Sequence, residues 1–442
     1  MLSRATLPRL SRPLLLLVIV AIALGAVGCS AAPSRGWSGP LVSENVLYVG
    51  TIQGKVVAYD VVGEGQIWAR TVAEAAGGGG MSCVGSCSGG MSTAMSLYGT
   101  PAVRGDRLYI GTYSTGEVMW VALDGSAVSS LTYKTGKDIV GSVTIDGDTL
   151  YVGNSAGKVY ALDLTVSDFS DSLKEGWPFE TGGKIWSTPV VKDGVVYVSS
   201  ADHKLYAIDA ASGNEIWRFE IDAAFMSTPL VDNGTVYIGG CDRKFYAVAA
   251  ATEEERLAAG ARDPEAPSEL TREASCVFDG AGNWFWTQAM AYNGQIWVGC
   301  LDHRVYILDA GTLEKVGEVK TGGMVYAPPV AANGLVVVGS RDGCIYLIDP
   351  ETLECSGYSI DPEKDRDRVT QVYASDPETG EVVKTREEPE HAPAPILAPL
   401  QVDPSGDVVY IHAQDGKHII HAFSLSTRDV LWSFRTDEIN ED

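Results

Sequence analysis

The chain consists of short runs of β-branched and aromatic residues that alternate with turns rich in glycine, asparagine and aspartate. The clearest stretch contains four such runs in succession: Trp186–Val191, Val195–Ser199, Lys204–Asp209 and Glu215–Phe219. Each run has the length and composition of a strand, and turn residues separate one run from the next. The pattern predicts a repeating unit of four antiparallel strands.

This unit recurs along the chain, and the second-strand position held by Tyr197 marks its copies. The equivalent positions are Tyr48, Tyr109, Tyr151, Tyr197, Tyr237, Trp297, Val337 and Tyr410. Most markers follow one another at close to the roughly 40–45 residues of a propeller blade, and the longer intervals contain insertions. Because one sheet cannot bury both of its faces alone, we expect the units to stack around an axis. The sequence therefore predicts an all-β, eight-bladed β-propeller of four-stranded antiparallel blades.

A short signature follows the third strand of the clearest unit. Ala207-Ile208-Asp209 is followed by Ser212-Gly213 and then by Trp217. Weaker copies run from Ala58-Tyr59-Asp60 to Trp68, from Ala161-Leu162-Asp163 to Trp177, and over Leu308-Asp309-Ala310-Gly311-Thr312. This pattern resembles the PQQ-type β-propeller repeat, and the resemblance extends from Trp37 to Phe434.

The resemblance implies two classes of protein. Quinoprotein dehydrogenases hold PQQ and calcium with Glu, Asn and Asp, use an Asp base and commonly carry a disulfide between adjacent cysteines. BamB-type lipoproteins instead act as scaffolds in outer-membrane protein assembly. The sequence contains neither a Cys-Cys dipeptide nor a Cys-x-x-Cys-His haem motif, so it resembles the scaffold class more closely. We expect no cofactor, and PQQ and calcium enter only under the dehydrogenase alternative.

Recurrent aspartates are the residues that could serve as calcium ligands if the chain were a dehydrogenase. They occupy the turn between the second and third strands of four blades, at Asp202, Asp242, Asp302 and Asp342. Aspartate is favoured in turns because its carboxylate accepts bonds from nearby backbone N–H groups. We therefore interpret these residues as turn-forming and expect no catalytic or metal site.

The first residues have the pattern of an export signal. Three arginines precede an apolar run from Leu14 to Val27 that is short for a membrane span. The run ends in Ala26-Val27-Gly28-Cys29, which resembles the bacterial lipobox. We expect a signal peptide over residues 1–28 and lipidation of Cys29, with an ordinary cleavage site and an incidental cysteine as the alternative.

The remaining chain is divided by composition. We predict an anchor linker at 29–35, the propeller at 36–436, an acidic tail at 437–442, and insertions near 73–95, 250–275 and 358–393. The second insertion, from Thr252 to Ala274, is predicted to contain a short acidic helix, and Asp361–His391 is charge-dense. Both are interpreted as solvated surface, with arms for a protein partner as the alternative. The formal net charge of −24 argues against a nucleic-acid partner, which requires a basic surface.

One position is aromatic in most blades. The residue three before the position of the first-strand proline is Trp37, Tyr98, Val140, Trp186, Met226, Trp286, Tyr326 and Ile396. Equivalent positions of a closed propeller form a ring around its axis, so these side chains are candidates for a binding mouth. The alternative is that each side chain packs between neighbouring blades.

Cysteines and histidines add three hypotheses. Cys83 and Cys87 lie in a glycine-rich loop and are a candidate disulfide in an oxidising compartment, with a Cu(I) site as the alternative. Cys241 and Cys276 are a second preferred pair. His412, His418 and His421 cluster in the last blade, but strand alternation places His418 and His421 on opposite faces, so we expect no metal there.

Together these features predict a non-enzymatic, lipid-anchored scaffold outside the cytoplasm, in the periplasm or at the outer cell surface. Its partners are expected to be envelope proteins and, through the anchor, a membrane, with the chain a monomer or part of a complex. The alternatives are a PQQ- and calcium-dependent quinoprotein dehydrogenase and a ligand-sensing ectodomain.

Overall fold

The computed structural model describes residues 38–51, 54–72, 96–113, 115–262, 270–360, 369–375, 379, 382–384, 394–413 and 419–435. These residues form eight sheets, each built on four antiparallel strands that follow one another in the chain. The eight-bladed, all-β prediction is confirmed. Every second-strand marker lies in the second strand of its blade.

The first four blades comprise sixteen strands. Blade 1 contains β1 (Leu41–Ser43), β2 (Val46–Gly50), β3 (Lys55–Asp60) and β4 (Gly65–Thr71). Blade 2 contains β5 (Ala102–Arg104), β6 (Arg107–Gly111), β7 (Glu117–Ala122) and β8 (Tyr133–Lys134). Blade 3 contains β9 (Thr144–Asp146), β10 (Thr149–Gly153), β11 (Lys158–Asp163) and β12 (Phe179–Glu180), with a 3₁₀ turn at Phe169–Asp171. Blade 4 contains β13 (Val190–Lys192), β14 (Val195–Ser199), β15 (Lys204–Asp209) and β16 (Glu215–Glu220).

The other four blades carry the additions to the basic pattern. Blade 5 contains β17 (Leu230–Asp232), β18 (Thr235–Gly239), β19 (Phe245–Ala249), helix α1 (Glu253–Gly260), the short β20 (Thr271–Arg272) that joins blade 4, and β21 (Ala274–Phe278). Blade 6 contains β22 (Met290–Tyr292), β23 (Gln295–Cys300), β24 (Arg304–Asp309) and β25 (Lys315–Lys320). Blade 7 contains β26 (Val330–Ala332), β27 (Leu335–Gly339), β28 (Cys344–Ile348), β29 (Cys355–Ile360), β30 (Val369–Ser375) and β31 (Val382–Lys384). Blade 8 contains β32 (Gln401–Val402), β33 (Val408–Ala413), β34 (Ile419–Ser424) and β35 (Val430–Arg435).

Two-residue turns join the first and second strands of several blades. In blade 5 the turn is Asn233-Gly234, with φ of 45° and 73°, and Asp232 pairs with Thr235 across it. Positive φ at both central positions matches the right-handed twist of the flanking strands, and asparagine and glycine tolerate it best. The Asx-Gly pairs of the repeat therefore fix the register of these hairpins.

The core lies between the blades rather than within them. Eight apolar clusters each join residues of two neighbouring blades. At the seven junctions from blades 1 and 2 to blades 7 and 8, an apolar residue before the first strand, here called the wedge, packs against the end of the preceding blade's second strand. The strand ends in glycine at most of these contacts, because a Cβ on Gly239 would lie 2.1 Å from the Cβ of the wedge Phe285. The recurrent strand-ending glycine is thus a packing requirement.

Side-chain contacts close the ring between blades 8 and 1. Among the described residues, no strand of blade 1 pairs with a strand of blade 8. Tyr59 of blade 1 packs on Trp432 and Phe434 of blade 8, with ring centroids 4.6 and 4.7 Å away. His412 Nδ1 of blade 8 also lies 2.8 Å from the carbonyl oxygen of Ser38. We call this junction the closure seam.

The insertion in blade 5 packs on the preceding blade. Helix α1 begins with a capping box formed by Thr252 and Glu255. Arg256 of this helix lies 3.1 Å from the carboxylate of Asp209, which ends β15, and Ala259 is buried between blades 4 and 5. The predicted helix is present, and its contacts are with the chain's own blade 4, on the face where third strands end.

The insertion after blade 7 is partly regular. Strands β30 and β31 continue the sheet beyond β29, which gives blade 7 six strands. The interpretation of Asp361–His391 as solvated surface stays a prediction, and the structure adds that the open edge of β29 supplies backbone partners that charge content does not reveal. Across the described part of the chain, no helix combines the length and apolar character needed to cross a membrane.

The closure seam provides a test of how the ring is held. Replacing Trp432, which is 8 % exposed, by alanine should leave a cavity between blades 8 and 1 and lower the free energy of unfolding by about 3–5 kcal/mol. The adjacent Leu431, 49 % exposed on the same strand, is the matched control, and Leu431→Ala should change it by no more than about 0.5 kcal/mol. Urea unfolding followed by tryptophan fluorescence and circular dichroism measures both. Equal effects of the two substitutions contradict closure by packing.

Asp60, Asp309 and Asp349, at the ends of third strands, have lowered pKa values. Asp309 accepts N–H bonds from Thr312 and Gly311, each 2.9 Å long, and these bonds hold its pKa below the ordinary value. Asp60 and Asp349 are held in the same way by the backbone of their turns. Because the bonds favour the charged carboxylate, they stabilise the fold while that charge is present.

Acidification should therefore weaken the propeller. A carboxyl whose folded pKa is depressed contributes stability that is complete above its unfolded pKa, near about 3.9, and is lost as the pH falls through the folded pKa. We expect the melting temperature to drop steeply below about pH 4. In Asp309→Asn it should be lower at neutral pH and fall less on acidification. Calorimetric scans from neutral to acidic pH provide the measurement, and parallel curves for the two proteins contradict the assignment.

Candidate functional site

A cavity lies on the axis of the ring. Residues from blades 2 to 8 line its volume of about 440 Å³. Blade 1 completes the circle at Gly39, where a Cβ would lie 2.4 Å from Thr100 Oγ1 and 3.1 Å from Pro399. We call this space the axial cavity.

The candidate mouth residues follow the wedges by one position in the chain. Phe285 is fully buried between blades 5 and 6, whereas Trp286 lines the axial cavity. Because neighbouring residues of an extended segment point in opposite directions, the wedge packs between blades and the next residue faces the axis. Tyr98, Val140, Trp186 and Met226 line the same cavity.

The aromatic side chains gather on one side of the axis. The ring of Trp186 in blade 4 lies 5.9 Å from that of Trp286 in blade 6, past the intervening Met226. Trp286 in turn lies 6.2 Å from Tyr326 in blade 7. Trp186, Trp286 and Tyr326 are half-buried. Their positions form a continuous aromatic surface over blades 4, 6 and 7.

The placement of Ile396 in the ring of mouth residues was wrong. Ile396 is 1 % exposed and fills the wedge position, because a Cβ on Gly339 would lie 2.5 Å from its Cγ2. The equivalent of Trp186 in blade 8 is therefore Leu397. The proline used as a marker, Pro399, stands one place earlier in the repeat than the first-strand prolines of other blades.

A ladder of hydroxyl groups lies two positions beyond the mouth residues. Thr100 N–H donates to Ser142 Oγ at 2.9 Å, Ser142 N–H to Thr188 Oγ1 at 3.0 Å, and Thr188 N–H to Thr228 Oγ1 at 3.0 Å. Each bond joins one blade to the next, from blade 2 to blade 5. The same position holds Gln288, Pro328 and Pro399 in blades 6 to 8, so the hydroxyl-bearing half of the ring differs from the other half.

The axial cavity is uncharged over its described lining. Its side chains are aromatic, aliphatic, hydroxyl or amide groups, with neither a carboxylate nor a basic group among them. At the rim, the Lys184 ammonium lies 5.8 Å from the centre of the Trp186 ring. The lining therefore favours a neutral occupant.

The recurrent aspartates support the loops around the mouth. Asp202 Oδ2 accepts bonds from the Tyr206 hydroxyl at 2.7 Å and from Gly182 N–H at 2.6 Å. Asp302 accepts equivalent bonds from Tyr306 and Gly282. Burial, and then the bond to Asp202, raises the pKa of Tyr206. The tyrosine partners were missed in the sequence, although Asp-x-x-x-Tyr recurs in four blades at Asp202/Tyr206, Asp242/Tyr246, Asp302/Tyr306 and Asp342/Tyr346.

The preferred pairing of Cys241 with Cys276 was wrong, since both are free thiols. Cys241 lies in the turn before β19, where its N–H donates to Ala224, whereas Cys276 lies on the outer strand and its thiol is 3.4 Å from the Gly311 carbonyl. The two therefore belong to different ends of blade 5. Burial raises the pKa of Cys241 to about 11, so its thiol is protonated at neutral pH.

The described histidines of blade 8 take part in packing. His421 is buried, and its Nδ1 lies 2.8 Å from Ser433 Oγ. Burial, with a smaller effect of His412, lowers the pKa of His421 to about 3. No group of three or more His, Cys, Asp or Glu side chains in the described ranges is arranged to hold a metal ion. Cys29, Trp37, Cys83, Cys87 and His418 lie outside the described residues.

PQQ is a tricarboxylate, and its calcium requires oxygen ligands that include carboxylates. The described lining of the axial cavity offers no carboxylate for calcium and no cation for the quinone carboxylates. The residues on the axis therefore do not fit this cofactor.

The blades, wedges and axial cavity define a PQQ-type eight-bladed propeller. A family model described as outer membrane protein assembly factor BamB matches residues 24–172 and 165–280, and the chain belongs to that family.

Solved structures agree at the level of the fold. BamB from Moraxella catarrhalis is 14 % identical with a TM-score of 0.56, covering 86 % of this chain and 94 % of that one. The computationally designed Ika8 protein is 13 % identical with a TM-score of 0.59, covering 88 % and 99 %. No curated protein matches the chain.

Proposed function

We propose that this chain is a lipid-anchored scaffold of the cell envelope that binds a protein partner at its axial mouth. The axial mouth comprises Tyr98, Trp186, Met226, Trp286 and Tyr326, with Trp37 as its expected member from blade 1. The observation that supports this proposal most directly is the half-buried aromatic surface of Trp186, Trp286 and Tyr326. Tryptophan and tyrosine are the residues most enriched at the energetic centres of protein interfaces.

Two further features support docking rather than catalysis. The wedges already supply the packing between blades, so the half-buried Trp186, Trp286 and Tyr326 are available for contacts on the axis. Tyr98 is 5 % exposed and packs on Tyr113, so it contributes less. The matching family is described as an outer membrane protein assembly factor. By that likeness the partner is an envelope protein, engaged for assembly or as captured substrate, and the scaffold works without chemistry of its own and without a cofactor.

The location follows from the N-terminal sequence. Residues 1–28 direct export, and lipid on Cys29 holds the propeller at a membrane surface outside the cytoplasm. Tethering raises the local concentration of the mouth for membrane-bound partners. The anchor and the mouth therefore contribute separately to the same role.

Alanine at Trp186 and Tyr326 tests the mouth. The double variant should lose crosslinked co-purification of envelope proteins from membranes, by roughly tenfold or more, while its melting temperature stays close to that of the parent. Ile67→Ala, 52 % exposed on the outer strand of blade 1, is the control and should retain capture. Unchanged capture by the double variant contradicts the mouth, as does a lowered melting temperature that accounts for the whole loss. Dye-linked alcohol oxidation after incubation with PQQ and calcium would assign the chain to the dehydrogenases instead.

Cys29→Ser tests the anchor independently. We expect the variant to leave the membrane fraction and appear in the soluble envelope or medium, because a protein without acyl chains lacks the apolar area that holds it in a bilayer. Fractionation followed by immunoblotting measures the distribution, and Ser30→Ala is the neighbouring control. Retention of the variant in the membrane pellet would exclude lipid on Cys29 as the principal attachment.

A further inference from the structure

The hydroxyl ladder leaves hydrogen-bond donors on the axis. The oxygens of Ser142, Thr188 and Thr228 each accept a backbone N–H from the preceding blade. Each hydroxyl retains a proton of its own to donate. Two nearby carbonyl groups are already engaged, since Pro189 O accepts from Thr144 Oγ1 and Pro229 O accepts from Gln288 Nε2. The three hydroxyls therefore offer a row of donors to the axis, and a ligand with acceptor groups complements them.

Aromatic rings stand beside these donors. Blades 4 and 5 carry Thr188 and Thr228 two positions after Trp186 and Met226, and Trp286 meets Trp186 across them. Flat indole and phenol faces next to donor groups form the surface on which proline rings pack in polyproline II recognition. A proline-rich segment has carbonyl acceptors but no N–H donors, and its extended conformation is formed before binding.

The charge and volume of the axial cavity further limit which ligands can bind in it. A charged group placed in the axial cavity would lose hydration without meeting an opposite charge among the described lining residues. The volume of about 440 Å³ lies in the range of sites that enclose a short segment or a small ligand. A neutral sugar also fits the volume, and the experiment below distinguishes it.

We infer that the axial cavity binds an uncharged, proline-rich segment of the protein partner. The inference rests on the proposed docking function and adds the chemistry of the segment that enters. Proline rings pack against Trp186 and Trp286, and the segment's carbonyl oxygens accept bonds from the hydroxyls of Ser142, Thr188 and Thr228. The mouth then contacts the surface of the partner, and the axial cavity binds its proline-rich segment.

Isothermal titration of the full-length chain with acetyl-hexaproline amide tests the inference. We expect saturable binding that Trp286→Ala weakens by at least about tenfold and that Thr188→Val weakens by roughly three- to tenfold. Trp284→Ala is the control, because Trp284 is 46 % exposed two residues away and outside the described lining, and it should bind as the parent does. Trp286→Phe keeps an aromatic face and should restore most of the affinity lost in Trp286→Ala.

Acetyl-hexaglycine amide and cellobiose are the comparison probes. Failure of hexaproline to bind, equal binding to Trp286→Ala and the parent, or preference for hexaglycine or cellobiose each overturns the inference. If capture of envelope proteins depends on Trp186 and Tyr326 but hexaproline does not bind, the docking function stands and only the inference is removed. Hexaproline binding without capture of any partner removes the docking function instead.

Discussion

Face-to-face packing of neighbouring blades is the constraint on which the rest of the structure depends. A wedge such as Phe285 reaches the end of the preceding blade's second strand only because that strand ends in Gly239. The contact fixes the distance and angle between blades, and its repetition around the ring brings Tyr59 against Trp432 at the closure seam. Small residues near the axis follow from the same geometry, since a Cβ on Gly141 would lie 2.5 Å from the carbonyl oxygen of Ser187.

This packing separates stability from recognition within four consecutive residues. The wedge is buried, the next residue faces the axis, and the one two places further on forms the hydroxyl ladder in blades 2 to 5. Substitution at the mouth position changes the axial surface while the wedge keeps the junction between blades. That freedom accounts for a ring in which Trp186, Met226 and Trp286 occupy equivalent positions although their shapes differ.

The repeat made the architecture predictable, whereas contacts between repeats were predictable only in part. Strand number and blade number follow from local patterns, so Tyr197 and its equivalents located every blade. The proline marker failed at Ile396 because Pro399 occupies the ladder position, one place before the expected proline, and only the contact with Gly339 reveals the shift. The Cys241–Cys276 pair failed because strand assignment does not tell which end of a blade a thiol occupies. The contact between Trp186 and Trp286 skips blade 5 and depends on two side chains long enough to reach past Met226. The spacing of residues in the sequence does not predict such a contact.

The asymmetry of the ring carries the functional argument. Hydroxyls occupy the ladder in blades 2 to 5, and the aromatic surface covers blades 4, 6 and 7, so donors and flat apolar faces coincide beside blades 4 and 5. A symmetric ring would offer each ligand eight equivalent orientations, whereas this overlap selects one side of the axis. Helix α1 packs on the opposite face, against Asp209 where β15 ends, so this helix supports blades 4 and 5 from the side away from the mouth. Rigid support directly behind the richest part of the axial surface is the arrangement expected of a site whose partner is recognised by shape and hydrogen bonding.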